Sequence, residues 1–227
     1  TPLLAVAISS VTGIPQSTGL TLVILVIVCA IYTFSVYFGM KGVQLSAATC
    51  TWLFFGLLAY VFFFGGQTRF IIEEGITALG NMTQNFIGLA TWTDSLRTSS
   101  FPQTWTIFYW AYWMVWCVAV PFFIGSISKG RTLRQVILGG YVFGLSGTFT
   151  SFIIMGNYGL GLQMHGKLDV LSSYAADGNL YHAILDILGQ LPLSKAVLVL
   201  LVLCMITFYS TSFDSITMVA STYTYKE

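Results

Sequence analysis

Five long apolar stretches constrain this chain more than any other feature of its sequence. They run over residues 21–40, 48–65, 105–126, 135–157 and 193–215. Each is close to the roughly 20 residues with which a helix crosses the hydrocarbon core of a bilayer. Only 7% of the residues are charged, whereas about a quarter are charged in a soluble domain. We therefore expect an all-α integral membrane protein.

The chain also begins inside an apolar segment. Residues 1–12 have the composition of the end of a sixth span, and they contain neither an initiator Met nor the charged start of a signal peptide. We therefore expect this sequence to be part of a longer protein.

The basic residues predict the orientation of the spans. Those that follow the first, third and fifth spans fall on one side of the membrane: Lys41, Lys129, Arg131, Arg134 and Lys226. The positive-inside rule makes that side cytoplasmic. The net charge of +1 gives no sign of a nucleic-acid partner. We expect a multi-pass protein in contact with the lipid of a prokaryotic-type inner or plasma membrane.

Two long segments, residues 66–104 and 158–192, lie on the opposite, external side and have helical periodicity. Within residues 70–90, apolar residues recur at roughly helical spacing, which predicts an amphipathic helix on the membrane surface, with a lid or a connector as the alternative. Within residues 177–190, the expected apolar face consists of Leu180, Ile184, Leu185 and Leu188.

The sequence gives little support for metal or enzyme chemistry. The four cysteines lie in apolar stretches without CxxC spacing, as expected of small core residues: Cys29, Cys50, Cys117 and Cys204. His165 and His182 are too far apart in sequence to form a typical zinc motif. Serine-hydrolase, zinc-protease and Walker-type motifs are absent from the sequence. We therefore do not expect an enzyme.

Residues 109–116, YWAYWMVW, form the most informative cluster. Three tryptophans and two tyrosines occupy eight positions, and Trp110, Trp113 and Trp116 recur every third residue. On a helix several of these π-faces can converge on one side. Aromatic faces of this kind bind quaternary ammonium groups by cation–π attraction. Ordinary packing or placement at the membrane interface is the alternative.

A second cluster lies at residues 208–215, FYSTSFDS, near the cytoplasmic end of the last span. Its hydroxyl and carbonyl oxygens suit a hard cation such as Na⁺. The same hydroxyls can instead bond to their own helix or to a neighbouring one. We expect Asp214 to be an end-of-helix residue at the membrane interface.

Two runs of residues resemble the signature of the betaine/choline/carnitine transporter family: FPQTWTIFYWAYW at 101–113 and SISKGRTLR at 126–134. The resemblance extends to TPL at 1–3, GIP at 13–15, GMKGVQ at 39–44 and TSFDS at 211–215. It implies a secondary transporter of twelve helices with a LeuT-like inverted-repeat core. The chain would then span the end of the fifth helix to the tenth.

The same resemblance implies a division of the chain. Residues 1–66 would end the first inverted repeat, residues 67–104 would form the external connector helix, and residues 105–227 would begin the second repeat. Family members often form homotrimers.

The resemblance also assigns the solute site. Trp113 and Trp116 match family tryptophans that face a trimethylammonium group. Tyr112 stands where many members have a tryptophan, and Trp110 belongs to the motif but is expected to pack.

For the coupling ion, Thr211 and Ser212 match hydroxyls that bind sodium in coupled members, and the carbonyl of Phe208 is a third contact. Gln44 occupies the position of an arginine whose charge replaces the ion in sodium-independent antiporters of the family. A neutral glutamine cannot replace it.

We therefore expect Na⁺-coupled symport, by alternating access, of a quaternary-ammonium compatible solute of the glycine betaine, choline or carnitine class, a function in osmoprotection. A sodium-independent exchanger of the same fold and a non-transporting membrane sensor are the alternatives. A channel is disfavoured, because the sequence shows neither a filter motif nor rings of like charge.

Overall fold

The structure is a computed structural model that describes residues 2–118, 120–177 and 180–224. Within these ranges the chain forms α-helices joined by short links, with two π-helical turns at Pro102–Thr106 and Phe152–Gly156. The α-helices are α1 (Pro2–Thr12), α2 (Thr18–Tyr37), α3 (Met40–Phe64), α4 (Thr68–Gln84), α5 (Phe86–Thr91), α6 (Ile107–Trp116), α7 (Val120–Ile127), α8 (Leu133–Ser151), α9 (Asn157–Met164), α10 (Val170–Asp177), α11 (Leu180–Gly189) and α12 (Ser194–Thr224). The all-α prediction is confirmed.

Four stretches of helix in the described part of the chain are long and apolar enough to cross a membrane: Thr18–Tyr37, Lys41–Phe64, Leu133–Met164 and Ser194–Ser221. The bent pair Pro102–Trp116 and Val120–Ile127 raises the number to five if it counts as one span. These five correspond to the five apolar stretches of the sequence. Helix α1 corresponds to the apolar segment at residues 1–12.

The second span begins earlier than its hydropathy indicates. Helix α3 starts at Met40, whereas the apolar stretch starts at residue 48. Gly39, with φ of 65° and ψ of −151°, separates α2 from α3 in a conformation that favours glycine. Lys41 and Gln44 lower the hydropathy of the first turns without interrupting the helix, because both are good helix formers.

The third predicted span, residues 105–126, is broken. Helices α6 and α7 meet at a bend of 56°, and Pro121 lies in the first turn of α7. Proline has no N–H with which to continue the hydrogen bonds of α6, and its ring clashes with the preceding turn. The predicted span at residues 105–126 is therefore a bent pair of helices.

The external helices differ from their predictions in detail. The expected helix at residues 70–90 is divided into α4 and α5, with Asn85 between them. On α11, Leu185 and Leu188 are buried as expected, but Leu180 at its first position is 49% exposed.

The chain divides into two compact units, one of residues 1–75 and 145–214 and the other of residues 76–144 and 215–227. The main apolar core belongs to the first unit and is built from α1, α3, α4, α9, α11 and α12. Its most deeply buried members are Ala7, Leu57, Val61, Ile71, Tyr158, Leu162, Leu188 and Cys204. The inverted-repeat boundaries at residues 66 and 104 stay a prediction.

Candidate solute and cation sites

The aromatic residues of α6 form a ladder along one side of the helix. The rings of Phe108 and Tyr112 stack with centroids 6.1 Å apart, and those of Tyr112 and Trp116 lie 5.8 Å apart. Each pair is four residues apart, the spacing at which side chains meet on a helix. Trp116 is thereby held against Tyr112, and it is the least exposed ring of the three tryptophans in residues 109–116.

A second group of side chains on the same helical segment lines a small groove. Thr106, Tyr109, Trp110 and Trp113 surround a volume of about 290 Å³. Trp113 is 61% exposed and Trp110 is 70% exposed. The structure thus brings Trp110 and Trp113 together at one groove and places Trp116 in the neighbouring ladder.

Helix geometry explains this division. A step of three residues falls about 60° short of a full turn, whereas a step of four overshoots by about 40°. Trp110 and Trp116, six residues apart, therefore point about 120° away from each other. The aromatic residues of the motif therefore do not all face the same side of α6.

The loop before α6 is organised by Asp94, a residue that the sequence-based reasoning did not single out. Its carboxylate accepts five hydrogen bonds, from the backbone N–H groups of Thr98, Ser99 and Ser100 and from two hydroxyls, at 2.9–3.1 Å. Desolvation would raise the pKa of Asp94, but these hydrogen bonds lower it to about 2. The run D-x-x-x-T-S was the available signal, because aspartate commonly caps turns of this kind.

On α12, two of the three predicted sodium ligands contact each other. Thr211 Oγ1 donates a hydrogen bond to the carbonyl oxygen of Phe208 at 3.0 Å. Thr211 is half-buried, and Ser212 is exposed. Two oxygens this close can both coordinate one hard cation, so the donor set fits Na⁺. Gln44 lies exposed near the start of α3.

Asp214 does not lie at the end of its helix. Helix α12 continues to Thr224, and Asp214 is fully buried, with 0% of its surface exposed. Its Oδ2 accepts a hydrogen bond from Ser35 Oγ of α2 at 3.0 Å. Beside it, the rings of Tyr32 and Phe213 stack 5.6 Å apart. The expected end-of-helix position was wrong, because α12 continues past Asp214 and α2 packs on this side of it.

Comparison with protein-family models decides the family. The model described as "BCCT, betaine/carnitine/choline family transporter" matches residues 1–227. The chain belongs to the betaine/carnitine/choline transporter family. The family is one of multi-pass membrane proteins, which agrees with the apolar helices of this chain.

Curated members of the family are similar to the chain over most of its length. A carnitine transporter of Acinetobacter baumannii is 30% identical over 211 residues, which are 92% of this chain and 38% of the relative. Glycine betaine transporter 2 of Vibrio parahaemolyticus is 32% identical over 93% of this chain and 38% of the relative. A probable glycine betaine transporter of Desulfitobacterium hafniense is 29% identical over 95% and 42%. The chain spans about two fifths of the length of these relatives.

Proposed function

We propose that the full-length protein takes up a quaternary-ammonium compatible solute, of the glycine betaine, choline or carnitine class, in symport with Na⁺. The observation that carries this proposal is the groove beside Trp110 and Trp113 on α6. Its volume of about 290 Å³ is at the lower limit of typical ligand pockets, roughly 300–1,000 Å³. A compact onium group suits such a groove better than a larger ligand does.

The chemistry of the groove supports the solute class. The groove is lined by Tyr109, Trp110 and Trp113 together with Thr106. A trimethylammonium group has no N–H donors, so aromatic faces satisfy it better than hydrogen-bond acceptors do. Each desolvated contact is worth about 2 kcal/mol. Two such contacts offset part of the free energy needed to remove water from the cation.

The oxygens of α12 support coupling to Na⁺. Phe208 through its carbonyl and Thr211 through its hydroxyl would hold the ion, and Ser212 would add a second hydroxyl. The neutral Gln44 supplies no fixed positive charge in place of the ion. When bound, Na⁺ supplies the positive charge that holds these oxygens in one arrangement.

Alternating access would then need no covalent chemistry. Because α6 and α7 are separated by a break, the aromatic helix α6 could reorient while α7 stays in place. The similarity to relatives described as carnitine and glycine betaine transporters supports both solutes as candidates.

The proposal is tested by uptake of radiolabelled glycine betaine, choline and carnitine into proteoliposomes that contain the full-length protein. We expect accumulation of at least one of them, driven by an inward Na⁺ gradient and absent when K⁺ replaces Na⁺. Uptake that ignores Na⁺ but rises with a betaine trapped inside would show an exchanger and contradict symport. Lack of transport of any onium solute by monodisperse protein would contradict the proposed solute class.

A further inference from the structure

The buried carboxylate of Asp214 is unusual in its surroundings. It lies on α12, within the stretch Ser194–Ser221 that is apolar enough to span a membrane, and none of its surface is exposed. An ionisable residue in such a segment is energetically unfavourable unless it faces a partner. A charged oxygen removed from water is stabilised only by hydrogen bonds or by an opposite charge.

Only half of this carboxylate has a partner. Oδ2 accepts the hydrogen bond from Ser35, but Oδ1 is buried without a hydrogen-bond partner. The hydroxyl of Ser210 is likewise buried, with 1% of the residue exposed, and its Oγ has no hydrogen-bond partner. Ser210 and Asp214 are four residues apart on α12, so they lie on the same face in successive turns.

In the described part of the chain, the ion pair that forms joins Arg69 and Glu73. No basic side chain in this part of the chain pairs with Asp214. The two unpartnered oxygens therefore lack a positive charge from the protein. One carboxylate and one hydroxyl carry a single negative charge, which matches a monovalent cation and leaves the pair neutral. Carboxylate and hydroxyl oxygens are ligands for hard cations.

We propose that Asp214 Oδ1 and Ser210 Oγ bind Na⁺, as ligands distinct from Thr211 and Ser212. Ser35 is a positioning residue, because its hydrogen bond fixes the opposite oxygen of the carboxylate. Successive residues of a helix are rotated by about 100°. Ser212 therefore points about 160° away from Asp214, to the opposite side of α12, whereas Thr211 is rotated from Asp214 by only about 60°. The Thr211 hydroxyl donates to the carbonyl oxygen of Phe208. This cation site does not depend on the proposed coupling through Thr211.

The test is equilibrium binding of radioactive Na⁺ to the purified full-length protein, without any solute or transport. We compare wild type with Ser210→Ala, Asp214→Asn and Thr211→Ala. The matched control is Thr207→Ala, one turn earlier on α12, whose hydroxyl already donates to the carbonyl oxygens of Leu203 and Cys204 at 3.0 and 2.9 Å. Size-exclusion chromatography checks the folding of each variant.

We expect Ser210→Ala to weaken one class of Na⁺ sites about tenfold or more, and Asp214→Asn to abolish it. Thr207→Ala should bind as wild type does, and Thr211→Ala should keep this class of sites. If Asp214→Asn does not fold, Ser210→Ala decides alone, because it retains the carboxylate and its bond to Ser35. Equal Na⁺ binding by wild type and Ser210→Ala would overturn the proposal, because Ser210 Oγ is one of its two ligands.

Discussion

Helices α6 and α12 carry the two proposed binding regions, but their side chains are held in different ways. The ring contacts of α6 in the described structure are between residues of its own segment, such as Trp105 with Tyr109 and Phe108 with Tyr112. Side chains of α12 instead contact other helices, through Ser35 and Tyr32 of α2 and Phe54 of α3. The α6 site is organised by local spacing, and the α12 region is organised by tertiary packing.

This difference has consequences for mutation. A substitution on α6 should remove a π-face and leave the rest of the fold intact. A substitution on the buried face of α12 should disturb both a ligand and the packing around it. Substitution of an exposed residue such as Ser212 should, like a substitution on α6, remove a ligand group and leave the packing intact.

The largest effect on solute affinity is expected on α6. Trp113→Ala should weaken glycine betaine binding about 30-fold, the equivalent of one desolvated cation–π contact of about 2 kcal/mol. Trp113→Phe should recover part of the loss because it restores a smaller π-face. Isothermal titration calorimetry of the full-length protein measures both.

The matched control for that loss is Trp52→Ala, since Trp52 is 78% exposed on α3. We expect its affinity to stay at the wild-type value. Equal weakening by both alanine variants would show that loss of any exposed tryptophan is sufficient, and the role assigned to the α6 groove would be wrong.

On α12 we expect a smaller but ion-specific effect. Thr211→Ala should raise the Na⁺ concentration for half-maximal uptake about tenfold, because one of three oxygen ligands is lost. Thr211→Ser retains the hydroxyl and should restore the Na⁺ dependence. Uptake assays over a range of Na⁺ concentrations distinguish the two. An unchanged Na⁺ dependence in Thr211→Ala would remove Thr211 from the ion site.

The smallest effect is expected in the loop that precedes α6. Asp94→Asn should lower the melting temperature by a few degrees and speed hydrogen exchange at Ser99 and Ser100, whose N–H groups bond to the carboxylate. Exchange followed by mass spectrometry measures this locally. Asp186→Asn on the exposed side of α11 is the control for loss of a charge.

The pH dependence of this loop has a definite sign. Because the folded pKa of Asp94 is about 2 and its ordinary value is 3.8, its contribution to stability is complete above pH 3.8 and is lost as the pH falls toward 2. The wild type should therefore lose its exchange protection in that range. Protection in the wild type that stays constant from pH 5 to pH 2 would contradict this assignment.

The sequence predicted the spans well because hydropathy over about 20 residues is a strong signal. It placed the start of α3 too late, since Lys41 and Gln44 are polar yet helical. It missed the break at Pro121, because both sides of the break are equally apolar. The α6 motif could be found without a structure, because the spacing of its aromatic residues along one helix is visible in the sequence.

The environment of Asp214 could not be predicted in the same way. Its burial depends on α2, which is some 180 residues away in sequence and supplies Ser35. No local pattern in residues 208–215 indicates which of the hydroxyls faces that helix. The buried oxygens of Ser210 and Asp214 that lack hydrogen-bond partners can be identified only from the packing of α2 against α12.

The central claim is that solute and Na⁺ bind to the same protein and favour each other. The most direct measurement is calorimetric titration of the full-length protein with glycine betaine at several Na⁺ concentrations, and with Na⁺ at several betaine concentrations. Linkage requires each ligand to tighten the other by the same factor, and we expect at least fivefold. Betaine affinity that is identical in Na⁺ and in K⁺ would contradict the account.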